Sequence, residues 1–455
     1  MKKAILFLAA AFCVPAAAQE DKDLDLIPGS VANAAAPSSA AKDQGKYSLD
    51  DAFGWYGFRG QLAVPLSGGM PSRWANRLSF DGLDTFTLSP ALSFTASDRL
   101  SLASADGIGF PNKALRNDIR EAYFTYEAAP QTYLEAGRIN LRYGVAYGYN
   151  PTDFFRSRTS VAQSSSDPGA QRLNRLGTVL LRGQHFFDGG AVELVYAPKL
   201  HSPVPLGLTP GPFDPKIDQT NGSDRLLAAF SFELEEFSPQ MLVYYEGGRT
   251  KFGLNLSHPI GASVIAYASW AGDMASSATV DAFAFAKRTR TFPATLPVTP
   301  TQSLSRGFKN DLSVGANWSG EYKESITIEY NFHQAGFSQA DWKDWFATGA
   351  NPAFSQVMWY LRGYASDIQQ PMSRHQAFVR ADWAEPFHIE HADVGAYVMT
   401  NLLDGSSIGQ ISASYDLSDQ WSLGIYGSGS IGGRKSEWGS LRGSSSVVVQ
   451  AVRYF

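Results

Sequence analysis

The chain has 455 residues, 38 basic and 43 acidic, a formal net charge of −5, and 44% hydrophobic and 18% charged residues. The acidic balance argues against a general nucleic-acid binder. One cysteine, Cys13, excludes a disulfide framework, and beyond the N-terminal segment no run of 18 apolar residues exists, which excludes a membrane-spanning helix.

Met1, Lys2 and Lys3 form a positive n-region, residues 4–12 a short apolar stretch, and Ala16-Ala17-Ala18 a cleavage site. This is the pattern of a secretory signal peptide over 1–18. Phe12 before Cys13 argues against lipidation, which needs small residues there. Residues 19–50 are rich in Ala and Ser, lack an apolar period, and read as a flexible periplasmic leader. A barrel is expected over 51–455.

From residue 54 onward, alternating or aromatic-rich segments recur near 54–64, 83–95, 99–105, 117–127, 131–142, 174–186, 190–198, 224–234, 239–247, 250–258, 261–271, 306–318, 323–332, 373–383, 387–400, 406–416, 420–430 and 445–455. Short connections are expected at 96–98, 128–130, 187–189, 235–238, 319–322, 384–386 and 417–419. The long ones, at 65–82, 143–173, 199–223, 272–305 and 333–372, all fall on the opposite parity. That alternation is the mark of an antiparallel transmembrane β-barrel, all-β, with about 18 strands (16–20), short periplasmic turns and long outer loops. A soluble sandwich has no reason to keep it. The parity holds only if 352–364 is an amphipathic helix within a long loop, as Phe354, Val357, Met358 and Leu361 allow. Trp55, Tyr56, Tyr244, Tyr245, Tyr267, Trp270, Trp421 and Tyr426 lie near predicted strand ends and are candidates for interfacial girdles.

The last stretch, S-V-V-V-Q-A-V-R-Y-F, is expected to close the barrel against the first strand. Val447, Val449, Ala451 and Phe455 share one face; Ser446, Gln450 and Tyr454 share the other. Arg453 occupies a position where an aromatic is usual in outer-membrane barrels.

The segment 135–182 concentrates candidate function. Arg138, Asn140 and Arg142 alternate on one predicted strand. Asn174, Thr178, Arg182 and Gln184 alternate on the next, with Val179 and Leu181 opposite. If these polar faces look inward, arginines from adjacent strands line one wall, joined by Arg156, Arg158 and Arg172 from the intervening loop and by Arg175 at the strand mouth. Guanidinium forks hold carboxylates or phosphates and stay charged at any working pH, so such a wall selects anions. The competing reading is a structural ladder in which Glu121 and Glu127 pair with the arginines. The loop itself contains N-P-T-D (Asn150 to Asp153), a turn signal, then Phe154-Phe155, an odd pair for a solvated loop. It is expected to fold inward and constrict the pore.

The seven histidines are scattered, and neither H-E-x-x-H nor G-x-S-x-G occurs. No cofactor, metal site or enzymatic activity is expected. The segments G-R-I-N-L-R-Y-G, Y-N-P-T-D-F-F-R and R-L-N-R-L-G-T-V-L-L-R are similar to poorly characterised Gram-negative barrel families, and the chain resembles an outer-membrane porin-type barrel over most of its length. It also resembles, more distantly, the alginate-export family of eighteen-stranded, arginine-lined pores. These resemblances imply export to the Gram-negative outer membrane, contact with its lipid and its barrel-assembly machinery, and passive passage of solute; with the arginine wall, small or anionic hydrophilic solutes are expected. An anionic polysaccharide exporter and a barrel that sheathes a partner are the alternatives, and a barrel enzyme with its site assembled from distant strands ranks below them. About 30 residues before the first strand leave no room for a plug domain.

Overall fold

The computed structural model describes residues 47–68, 71–104, 115–208, 210–234, 237–292 and 306–455. The proposed signal peptide and nearly all of the leader lie outside them. Eighteen strands form one antiparallel sheet: β1 (Tyr47–Phe58), β2 (Trp74–Ser89), β3 (Leu92–Ala103), β4 (Leu115–Ala129), β5 (Thr132–Ile139), β6 (Thr178–Phe187), β7 (Gly190–Ala197), β8 (Arg225–Phe232), β9 (Gln240–Glu246), β10 (Arg249–Ile260), β11 (Val264–Ala275), β12 (Gly307–Ser319), β13 (Glu324–His333), β14 (His375–Ala384), β15 (Ala392–Asn401), β16 (Ser407–Ser418), β17 (Trp421–Ile431) and β18 (Gly443–Tyr454). The sheet closes on itself. β1 pairs with β2 on one side and with β18 on the other, from Ser48 opposite Tyr454 to Trp55 opposite Val447. Closure joins the first strand to the last, which is what lets a sheet cross a bilayer.

Side chains alternate as the pleat dictates, with the usual polarity reversed: apolar residues face out and polar ones in. On β18, Val447 and Val449 are exposed and Val448 is buried. On β6, Leu181 is exposed while Thr178, Arg182 and Gln184 are buried. The girdle candidates divide by the same rule. Trp55, Tyr245, Trp270 and Trp421 lie on outward positions, but Tyr56, Tyr244, Tyr267 and Tyr426 point inward.

Several boundaries differ from the sequence reading. β1 begins at Tyr47, ahead of residue 51, because Tyr47 and Leu49 still have partners on β2. β2 and β3 reverse around Pro90, whose fixed φ suits a turn, so 96–98 lies inside β3, with a bulge between Ser97 and Asp98. β5 stops at Ile139. Gly137 there has φ +139°, and a Cβ would lie 2.3 Å from the Ala122 carbonyl oxygen. β15 starts only at Ala392, because Glu385, Phe387, His388 and His391 all adopt left-handed backbone.

The connections keep the expected alternation. One rim carries short turns, and the other carries long loops with, among the described residues, five helices: α1 (Pro168–Leu173), α2 (Ile217–Thr220), α3 (Ala278–Arg288), α4 (Gln339–Gly349) and α5 (Pro352–Asp367). The amphipathic segment at 352–364 is thus a helix, capped by Asn351, with Pro352 in its first turn. α4 starts with a reciprocal Ser338–Asp341 capping box. Together α3, α4 and α5 bury Phe285, Trp342, Trp345, Phe346, Met358 and Leu361 with Val64 from the β1–β2 loop. This small core forms a lid over the long-loop rim.

Candidate functional site

The β5–β6 connection, residues 140–177, runs inside the barrel. Its exit from β5 is fixed by a buried cluster. Arg175 donates to both carboxylate oxygens of Asp153 at 2.7 and 2.8 Å, to Asn140 Oδ1 at 2.7 Å and to the Leu141 carbonyl. Arg172 lies 3.4 Å from the same carboxylate and donates to the Tyr143 and Gly144 carbonyls. Burial alone would raise the Asp153 pKa, but Arg175 and Arg172 overcome it and hold the carboxyl below its ordinary range. Gly144, with φ +75°, lets the chain fold back: a Cβ would sit 2.3 Å from Thr152 Oγ1. Phe155 then packs into an apolar patch of the inner wall made by Ile139, Leu180, Val195, Leu227 and Leu242. Phe154 stacks on Tyr244 at 4.8 Å. That patch accounts for the aromatic pair.

From there the connection reaches almost every other side of the barrel. Thr152 donates to Asn255 on β10, Tyr149 to Asp311 on β12, and the Tyr147 and Gly148 amides to Glu329 on β13 at 2.6 and 2.8 Å. Asp167 meets Arg380 on β14 at 3.3 Å, Ser166 accepts from Tyr397 on β15, and its amide donates to Gln410 on β16. Arg77 on β2 donates to Ser164, Arg99 on β3 to the Ala162 carbonyl, and Arg120 on β4 to Asn174. The connection is an internal girdle.

Between the girdle and the inner wall of β8–β13 lies a cavity of about 220 Å³, with seven basic and five acidic residues on its lining. Arg158 pairs with Asp367 at 2.8 Å, Arg249 with Asp281 at 3.0 Å and Lys251 with Asp273 at 3.8 Å. Among the described residues, no carboxylate lies within ion-pair distance of Arg156, Arg225, Arg288 or Lys309. Arg156 lies over the Tyr149 ring and Arg225 over the Phe155 ring. Positive charge therefore exceeds negative on this lining, beside the aromatic faces of Phe154 and Tyr244.

The sequence-derived residues separate into three groups. Asp153, Arg156 and Arg158 line the cavity. Asn140, Arg172 and Arg175 hold the girdle, and Arg142, beyond the end of β5, sits near Arg172. Arg182 and Arg138 do neither. Arg182 is clamped in the wall between Glu193 at 2.8 Å and Glu135 at 3.0 Å, the ladder arrangement with different carboxylates from those expected. Arg138 is on the outward side, in register with Ala122 and Val179, and donates to the Gly177 and Pro215 carbonyls. The shared inner wall of Arg138, Arg142 and Arg182 is therefore not formed. Arg225, Arg249, Lys251 and Glu329 were not singled out from sequence. Their period-two placement on β8, β10 and β13 was visible, but nothing in the sequence said that the girdle would face them.

The lid is tied to the β17–β18 loop by a buried knot. Arg362 lies 5.5, 5.6 and 5.5 Å from the rings of Trp342, Trp345 and Trp359 and donates to Ser440 Oγ and the Glu437 carbonyl. The Glu437 carboxylate meets Ser373, with Arg362, Asp404 and Asn401 nearby, and burial pushes its pKa up to about 7. The folded state therefore holds this proton more tightly than the unfolded chain. Stability from this group is greatest below the unfolded value, about 4.3, and declines as pH rises to about 7. Amide exchange protection of 432–442 should fall over that window and level off above it. In Glu437→Gln it should not change with pH; a fall of equal size in the variant would assign the effect elsewhere.

A closed eighteen-stranded barrel, apolar outside and polar inside, is the architecture of an outer-membrane porin-type channel. No protein-family model and no curated protein matches the sequence. Solved structures do match. Pseudomonas aeruginosa OccK5 (OpdH) is 9% identical, with 90% of this chain and 96% of that one covered and a TM-score of 0.51. Acinetobacter baumannii OccAB3 is 8% identical over 90% and 98%, with a TM-score of 0.50. Pseudomonas aeruginosa OpdK, solved with vanillate, is 9% identical over 90% and 97%, with a TM-score of 0.50. These proteins are outer-membrane porins, and at such identity the likeness establishes the shared fold.

Proposed function

We propose that the protein is a passive outer-membrane channel for small hydrophilic solutes bearing negative charge, and that the girdle sets its size limit. The observation that carries this reading is the surplus of cations over carboxylates, seven to five, on the lining of the cavity beside the girdle. Fixed charge at a narrow, weakly screened passage biases which ions enter. The vanillate carboxylate in OpdK is consistent with an anionic solute in a barrel of this fold.

The test is the reversal potential of the refolded protein in a planar bilayer under a salt gradient. The wild type should be anion-selective, and Arg156→Ala with Arg225→Ala should move the reversal potential toward cation selectivity. Arg138→Ala, on the outward side and away from the cavity, should leave it in place. Equal selectivity in all three would remove the cavity cations from the mechanism.

A further inference from the structure

We propose that the lid is a gate released by carboxylate exchange: Asp281 and Asp367 hold two of the cations beside the cavity until a solute carboxylate takes their place. This gate presupposes the anionic solute proposed above and specifies its charged group. The lid meets the rest of the protein along two unlike seams. On the side of the β17–β18 loop it is fixed. Arg362 is buried against three tryptophan rings, and Ser373 joins the Trp342 indole to the Glu437 carboxylate. On the cavity side it is held by charge. Asp281, in the first turn of α3, accepts from Arg249 of β10 at 3.0 Å, and Asp367, the last residue of α5, accepts from Arg158 of the girdle at 2.8 Å.

Solvent exposure separates these two pairs from those that build the wall and the girdle. The Asp281 and Asp367 side chains are 29% and 34% exposed, against 3% for Asp153 beside Arg175 and 4% for Glu193 beside Arg182. An ion pair that water reaches is weak and exchangeable, whereas a dry one cannot open without stranding a charge. The Arg158 pair is also incomplete. Arg158 donates to Asp367 through Nε, while its Nη1 is buried without an acceptor. Asp367 sits at the negative end of the α5 dipole, where an acidic side chain is disfavoured. A guanidinium binds a carboxylate best through two parallel N–H bonds. Arg158, Arg249 and Asp281 all line the cavity, so a solute there competes for these cations with the same chemistry that the lid presents. Exchange leaves the cavity side with neutral bonds, from Gln369 to Thr159 and Ser160 and from the Arg158 amide to the Asp367 carbonyl, while the far seam stays closed.

The test uses the refolded protein with potassium succinate as the probe, against potassium chloride at equal ionic strength and constant pH. In the wild type, succinate should speed amide exchange of 278–288 and 362–368 several-fold and leave 432–442 unchanged. In Asp281→Asn with Asp367→Asn the lid's competing carboxylates are gone, so succinate should block the chloride current at a several-fold lower concentration. Asp281→Asn alone should give an intermediate value, and heat-modifiable migration on gels shows that each variant is folded. Equal blocking concentrations in wild type and folded variants overturn the gate. So does lid exchange that ignores succinate, or an anion-selective channel that succinate does not block. A wild type without anion selectivity overturns the solute reading, and the gate with it.

Discussion

A barrel lacking residues 150–166 is expected to conduct several-fold more current than the intact protein. Those residues carry Phe154 and Phe155 across the inner wall and hold Arg156 and Arg158 beside the cavity. The excision is geometrically feasible, because Arg380 meets both flanks, 5.6 Å from the Tyr147 ring and 3.3 Å from Asp167. It would leave Arg175 buried without its carboxylate, so the deletion is best combined with Arg175→Met. Single-channel recording decides the matter. An unchanged conductance would mean that the narrowest cross-section lies elsewhere, with the lid as the next segment to remove.

Asp153→Ala should be the most damaging point change in the girdle. Its carboxylate is buried between Arg175 and Arg172, and removing one member of a buried pair costs about 3–5 kcal/mol. The expected outcome is a barrel that still closes, with a girdle that opens to protease at 140–177 and a noisy open-channel current. The pH dependence follows from the same pair. The folded carboxyl is more acidic than the unfolded one, so its contribution is complete above about pH 3.9 and disappears as pH falls through the lower, folded value. Acid should loosen the wild-type girdle and leave Asp153→Ala no looser than before. Limited proteolysis at pH 3 and pH 6 would show it; identical digestion of both proteins at pH 6 would refute the role given to Asp153.

The architecture was readable because it rests on period and parity. The number of strands was legible because the pleat forces alternation, although the expected strand at 83–95 straddled the turn at Pro90 and left much of β2 in a loop, and the helix at 352–364 was recovered because a strand there would have broken the parity. The site was less readable. Arg138 lies at a period-two position from Arg142, and so was placed with it on the inner wall. β5 ends between them at Ile139, and the outward-facing Arg138 is covered by a distant loop. The carboxylate partners of Arg182 come from the neighbouring strands β5 and β7, and that of Arg175 from the girdle, so each depends on strand register or on the path of the loop and not on spacing within one segment. Phe154-Phe155 was legible as an anomaly because two adjacent aromatics outside a strand need something to bury them; which wall buries them depends on three-dimensional closure.

The girdle also constrains the chronology of assembly. It leaves the sheet after the fifth strand, yet its side chains and amides are held by β10, β12, β13, β14, β15 and β16. Those strands are made more than a hundred residues later, and contacts that distant form slowly because the chain entropy is lost before the bonds are gained. The connection must therefore remain unsecured while two thirds of the barrel is threaded around it. Its final lock depends on circumferential closure, and the passage takes its working dimensions only when the last seam, β1 to β18, has been zipped.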